Sequence, residues 1–254
     1  MCRHIASTVI RRQNRAAMST VSESFATALR LIAQADTALF SIAGLSLQVS
    51  AVACALGAVV GLALGAWLAV ATFPGHRVVI WALNTLLALP SVVVGLSVYL
   101  LLSRSGPLGA LGILFTPTAM VIAQSILILP LITALSRRLV LDGLREGGDQ
   151  LRAMGAGPLL SALLLLLHQR LAVLTVLLTA FGRAVAEVGA VMIVGGNIDG
   201  LTRVMTTAIA LETSKGDLPL ALALGLVLLG VVGVINLVIG LVQWRGGAPQ
   251  EALA

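Results

Sequence analysis

Residues 136–170 read SRRLVLDGLREGGDQLRAMGAGPLLSALLLLLHQR, and they carry Arg137, Arg138, Asp142, Arg145, Glu146, Asp149, Arg152 and Arg170 in a chain only 10% charged. The stretch is an island of charge between apolar runs. Read as a helix, it puts Val140, Leu144, Gly147, Gly148 and Leu151 on one face and most of the charges on another. Gly147 and Gly148 each cost about 1 kcal/mol relative to Ala, so such a helix depends on docking, and their missing side chains permit close approach. Gly155 suits the left-handed residue that ends a helix, and Pro158 suits the first position of the next. The spacing predicts helix, elbow, helix. Two uses remain open: an amphipathic segment resting on lipid headgroups, or a helix that docks a partner.

Outward from the island the chain is 59% hydrophobic, with several apolar runs longer than 18 residues. That composition excludes a soluble globular domain and points to an all-α, polytopic membrane bundle in one domain of about five spans. Before the island, spans are expected at 44–71, 79–102 and 118–135. Pro90 should kink the second, which also carries Asn84, and Pro130 lies in the third. After the island, 159–194 is an apolar stretch of 36 residues, about 54 Å as one helix against a bilayer core of about 30 Å. His168-Gln169-Arg170 therefore marks the water boundary, with 159–167 near the interface and a fourth span at 171–194. A polar loop at 195–217 leads to a fifth span at 218–242, which ends on the interfacial pair Trp244-Arg245. In the first span Gly57, Gly61 and Gly65 share a face, a small-xxx-small pattern; packing within one subunit is preferred to a dimer seam.

The ends read differently. Residues 1–17 hold Arg3, Arg11, Arg12 and Arg15 with no acid, and are expected to be a non-native or disordered extension preceding a start at Met18; an organelle presequence is the competing reading. Residues 18–43 are expected to form an interfacial helix around Phe25, Ala28, Leu29 and Ile32, with 44–243 the membrane domain and 244–254 a tail. With five spans, one side collects seven cations (Arg77, Arg137, Arg138, Arg145, Arg152, Arg170, Arg245). The other has Arg104, Arg203, Lys215 and, from Met18, Arg30. The positive-inside rule then makes the island and the C-terminus cytoplasmic and the N-terminus extracytoplasmic, in the plasma (inner) membrane.

Few residues carry chemistry. Arg183 and Glu187 stand four apart inside the fourth span, where each bare charge would cost about 2.5–3.5 kcal/mol or more; they either tie the bundle together or line a pathway. Asn197, Thr206 and Thr207 could offer donors to an oxyanion, with ordinary loop and capping chemistry the preferred reading. Cys2 and Cys54 form no disulfide framework, no metal-ligand set appears, and no phosphate-binding loop, nucleophile elbow or carboxylate pair supports catalysis. The net charge of +6 is accounted for by cations at span ends, without nucleic acid. A secondary transporter or channel is the competing class, though it would call for more ion-coupling groups in the spans.

The island, FGRAVAEVGAV at 181–191, GGN at 195–197, LSRSGPLG at 102–109, FTPTAM at 115–120, TTAI at 206–209 and ETSKGD at 212–217 together resemble permease subunits of ABC importers with the type I transmembrane fold. The likeness covers about 39–242 and is greatest to the tungstate branch, related to molybdate and sulfate permeases. It implies a homodimer in the lipid bilayer, a separate ATPase subunit that uses ATP and magnesium, and an extracytoplasmic binding protein. The permease itself would hold no cofactor. In that family an E-A-A-x-x-x-G loop docks on the ATPase; the matching positions here are Asp149-Gln150-Leu151 followed by Gly155, so Asp stands for Glu and neither Ala is kept. The I-x-L-P that usually follows is also missing, with His168 and Gln169 near its place. The resemblance assigns Arg145, Glu146, Asp149, Arg152, Gly155 and Ala156 to that coupling loop, and Arg104 and Lys215 become candidates for docking the binding protein.

Overall fold

The computed structural model describes residues 26–27, 29–30, 32–34 and 37–245, in which nine α-helices form one bundle. The N-terminal extension, part of the expected interfacial helix, including Phe25 and Ala28, and the tail beyond 245 lie outside the described residues. Three helices are long and apolar enough to cross a membrane: α1 (Thr37–Val70), α4 (Pro117–Ala153) and α9 (Leu218–Arg245). Two bent pairs have the combined length and apolarity for up to two more crossings. These are α2 (His76–Leu87) with α3 (Ser91–Leu102), and α5 (Pro158–His168) with α6 (Arg170–Val185). Two short helices, α7 (Gly189–Gly195) and α8 (Met205–Lys215), complete the fold.

The centre of the bundle is the contact of α1 with α4. A Cβ on Gly57 would stand 3.2 Å from Ile128, one on Gly61 2.8 Å from Ile132, and one on Gly65 against Ser136 and 2.6 Å from the carbonyl oxygen of Thr133. The register advances equally on both helices, so they run parallel. The glycine seam lies within the chain: Gly57 admits the α4 isoleucine side chains, and Gly61 and Gly65 let the α4 backbone come close. Ser136 adds a hydrogen bond to the Gly61 carbonyl at 3.2 Å.

Four expected features take a different form. The second span is two helices meeting at 100°, a break where a kink was expected. Pro90 bars Leu89 from helical geometry, and Gly95 then lets α3 press on α7, where a Cβ would sit 2.7 Å from the Ala190 Cα. The third span does not end at 135: α4 continues through the first half of the island as one helix of 37 residues, with Pro130 accommodated inside it. At about 55 Å it outruns the bilayer, and its charged end stands beyond the apolar zone. The fourth span is not one helix over 171–194, since α6 ends at Val185 and α7 begins at Gly189. The loop at 195–217 contains α8, whose Met205 and Ala208 pack on Leu39 and Leu224. Apolar residues within a polar stretch were enough to build it.

The elbow agrees with its sequence. Gly155 has φ +82° and closes α4 through bonds from its N–H to the Arg152 carbonyl (2.9 Å) and from the Ala156 N–H to the Leu151 carbonyl (3.0 Å). Pro158 opens α5, which packs Ala162 and Leu165 on Ala66 and Val140 before the chain turns by 79° into α6. Val242 and Gln243 of α9 lie beside His168 and Arg170 at this turn, around a cavity of about 560 Å³. The start of α1 is at the opposite end, with Leu39 among Met205 and Ala223. The described chain thus enters and leaves the bundle on opposite faces.

Candidate functional site

Where α6 breaks, its polar groups are satisfied from three directions. Gln124 of α4 donates from Nε2 to the Ala184 carbonyl at 3.0 Å. Thr206 of α8 donates to the Glu187 carbonyl at 2.8 Å, and the Glu187 side chain accepts from the Ala190 N–H at 3.3 Å, capping α7. The second carboxylate oxygen of Glu187 accepts from Arg183 Nη1 at 3.2 Å. The two expected partners do meet, yet their surroundings differ: the Glu187 side chain is 5% exposed and that of Arg183 is 52%. The carboxylate belongs to the core, while the guanidinium looks outward.

This cluster sits deep. Arg183 follows the start of α6 by 13 residues, about 20 Å along the helix from the island end. Gln124, Arg183 and Glu187 close around a hollow with Leu127 and Ile128. The Gln124 Oε1 is buried there without a donor. Gln124 was not singled out from sequence, although an amide inside an apolar run was a visible signal.

Asn197 and Thr207 are brought together but turn inward. Asn197, at φ +51° after the end of α7, donates to the Thr207 carbonyl at 3.2 Å and accepts from the Thr207 hydroxyl at 2.9 Å. That hydroxyl also accepts from the Val204 N–H at 3.2 Å, capping α8. Thr206 and Thr207 are both buried. Their hydrogen-bonding capacity is spent on joining α7 to α8.

At the island end the candidates stay open. Arg145 pairs with Asp142 at 3.1 Å and Arg152 with Asp149 at 3.8 Å, all four side chains at least half exposed, so these pairs add little stability and leave their charges free to meet another surface. Glu146 is exposed, as is Gly155, and Ala156 is half-buried. Behind them a cleft of about 230 Å³ separates Leu144 and Gly148 of α4 from Pro158 and Ser161 of α5. At the opposite end Arg104 is exposed in the turn after α3, and Lys215 bonds the buried Glu212 at 2.9 Å. No three His, Cys, Asp or Glu side chains converge as a metal site among the described residues.

An all-helical bundle of apolar crossings, with a deep ion pair and a charged elbow at one face, has the make-up of a membrane transport subunit. No protein-family model matches the sequence. Curated proteins do. The chain is 43% identical over 222 residues, 87% of its length and 97% of the relative's, to the "Tungstate uptake system permease protein TupB" of Peptoclostridium acidaminophilum. It is 37% identical to the protein of the same name from Campylobacter jejuni, over 86% of this chain and 91% of that one. A "Probable anion ABC transporter permease protein" of Haloferax volcanii is 43% identical over 79% of this chain and 88% of its own. The chain belongs to the ABC transporter permease family that includes these proteins, and it is a multi-pass membrane protein.

Proposed function

We propose that the chain forms the membrane pathway of an ATP-driven importer for tungstate, working as a homodimer with two ATPase subunits and an extracytoplasmic binding protein. The observation that carries this reading is the half-exposed Arg183 guanidinium, bonded to a buried carboxylate within the apolar zone. A cation at that depth is too costly to leave facing lipid, so its open side belongs against protein or water. A second copy related by a twofold axis supplies both, and two such arginines suit a tetrahedral dianion. Glu187 stays in place through its bonds to Arg183 and the α7 backbone, so the pathway presents a guanidinium whose charge is balanced before the anion arrives.

The elbow end faces the cytoplasm in this reading, the N-terminus lies outside and the C-terminus inside, in agreement with the concentration of arginines there. The rigid end of α4 transmits motion of the ATPase to the spans. ATP and Mg²⁺ belong to that partner. Tungstate uptake by vesicles holding the chain, its ATPase and its binding protein tests the proposal: uptake should require ATP, molybdate and sulfate should compete less well, and Arg183→Gln should abolish it with the complex still assembled. Uptake that proceeds without the ATPase would point to a secondary transporter or channel.

A further inference from the structure

The 100° turn at Pro90 lays α2 across the island end of α4, and a cleft of about 380 Å³ opens between them. Its basic wall is Arg137, Arg138 and Arg145 of α4; Asn84 stands on the α2 side. One carboxylate, Asp142, serves this wall, bonded to Arg145 at 3.1 Å and standing 3.9 Å from Arg138. Arg137 has no ion pair among the described residues, and its Nε is buried without an acceptor. Three guanidiniums facing one carboxylate, with a buried donor unpaired, make a site short of negative charge. We infer that this cleft binds the phosphate of an anionic phospholipid headgroup.

The depth fits. Arg137 follows Pro117, the first residue of α4, by 20 residues, about 30 Å along the helix, which is one hydrocarbon thickness. The arginines therefore stand at headgroup level on the island side. The remaining walls are apolar, with Leu87 and Leu135 among them, and they suit the glycerol and upper acyl chain better than a free hydrated anion. On its outer side α2 exposes Val78 (66%) and Trp81 (70%), the surface of a helix lying in the interface. Basic pockets between membrane helices recur as headgroup sites, and a guanidinium fork matches two phosphate oxygens at once. The site does not depend on what the chain transports, and it gives Asn84 a polar surface to meet.

Native mass spectrometry of the full-length chain in detergent, titrated with phosphatidylglycerol, tests this. One phosphatidylglycerol should bind per chain in preference to phosphatidylcholine, and Arg137→Gln with Arg138→Gln should weaken it by about tenfold or more. Arg77→Gln, an exposed cation on α2 outside the cleft, should leave binding unchanged. If the double variant does not fold, Arg138→Gln alone, at a side chain 82% exposed, carries the test with a several-fold loss. Unchanged binding in these arginine variants, an equal loss in Arg77→Gln, or equal binding of phosphatidylcholine would overturn the inference. Displacement of the lipid by free tungstate would overturn it too, assigning the cleft to a soluble oxyanion.

Discussion

α1 and α9 are both long apolar helices, and both carry several glycines, yet the fold uses them in opposite ways. In its most apolar window α1 is 44% buried and α9 only 17%. Gly57, Gly61 and Gly65 of α1 each meet α4 closely, whereas Gly225, Gly230, Gly233 and Gly240 of α9 meet nothing within 4 Å. Apolarity carries a helix into the bilayer; a facing backbone decides whether its glycines are sealed. Within this chain the α1 seam is closed and the α9 face is open to lipid or to a second copy.

The hardest test of that contrast is Gly65→Leu. Its first added carbon alone would lie 2.6 Å from the Thr133 carbonyl oxygen and 2.9 Å from the Arg137 nitrogen, both backbone atoms, so the helices themselves must separate. The expected cost exceeds the usual overpacking penalty of about 1–3 kcal/mol, and little folded chain should be recovered by fluorescence-detected size exclusion. Gly233→Leu on α9 should yield a normal chain in the same assay. The next effect is on activity. Arg183→Gln should abolish tungstate uptake while leaving the size-exclusion profile unchanged, because in the proposed homodimer its exposed side faces the pathway and no contact among the described residues depends on it except the Glu187 pair. Retained uptake would place Arg183 with the sealed part of the fold. Smaller again is charge reversal at Asp149, fully exposed near the end of α4. Asp149→Arg should cut transport-stimulated ATP hydrolysis several-fold without lowering thermal stability; untouched coupling would detach this residue from the ATPase contact.

The same division between sealed and open explains what was legible in the sequence. Periodicity and length located the apolar runs, and Gly155 with Pro158 marked the elbow, since those signals are local. The Gly57–Gly65 face was visible as a pattern, and the choice of α4 as its partner came only with the fold. The breaks were harder. Pro90 announced a disturbance, but its size depended on Gly95 and Ala190 meeting across the bundle. Nothing between Ala186 and Val188 is a helix breaker by composition; the break is held by the tertiary contacts of Gln124 and Thr206 together with the local bond of the Glu187 side chain to the Ala190 N–H. The Arg183–Glu187 spacing was readable at once, yet the unequal burial of the two charges was not, because it depends on which side of α6 the rest of the chain covers.

The smallest expected change is the most discriminating for α9. Gly233→Ala adds one methyl group where no atom lies within 4 Å, and alanine is the better helix former by up to about 1 kcal/mol. If lipid alone covers that face, thermal unfolding of the purified assembly should stay level or rise slightly, since a methyl group is as welcome in acyl chains as a hydrogen. If the second copy packs there as α4 packs on α1, the same methyl group must push two backbones apart, and the unfolding temperature should fall together with the dimer fraction. A fall would mean that α9 is sealed after all, by another molecule, and that its low burial measures only what one chain can cover by itself.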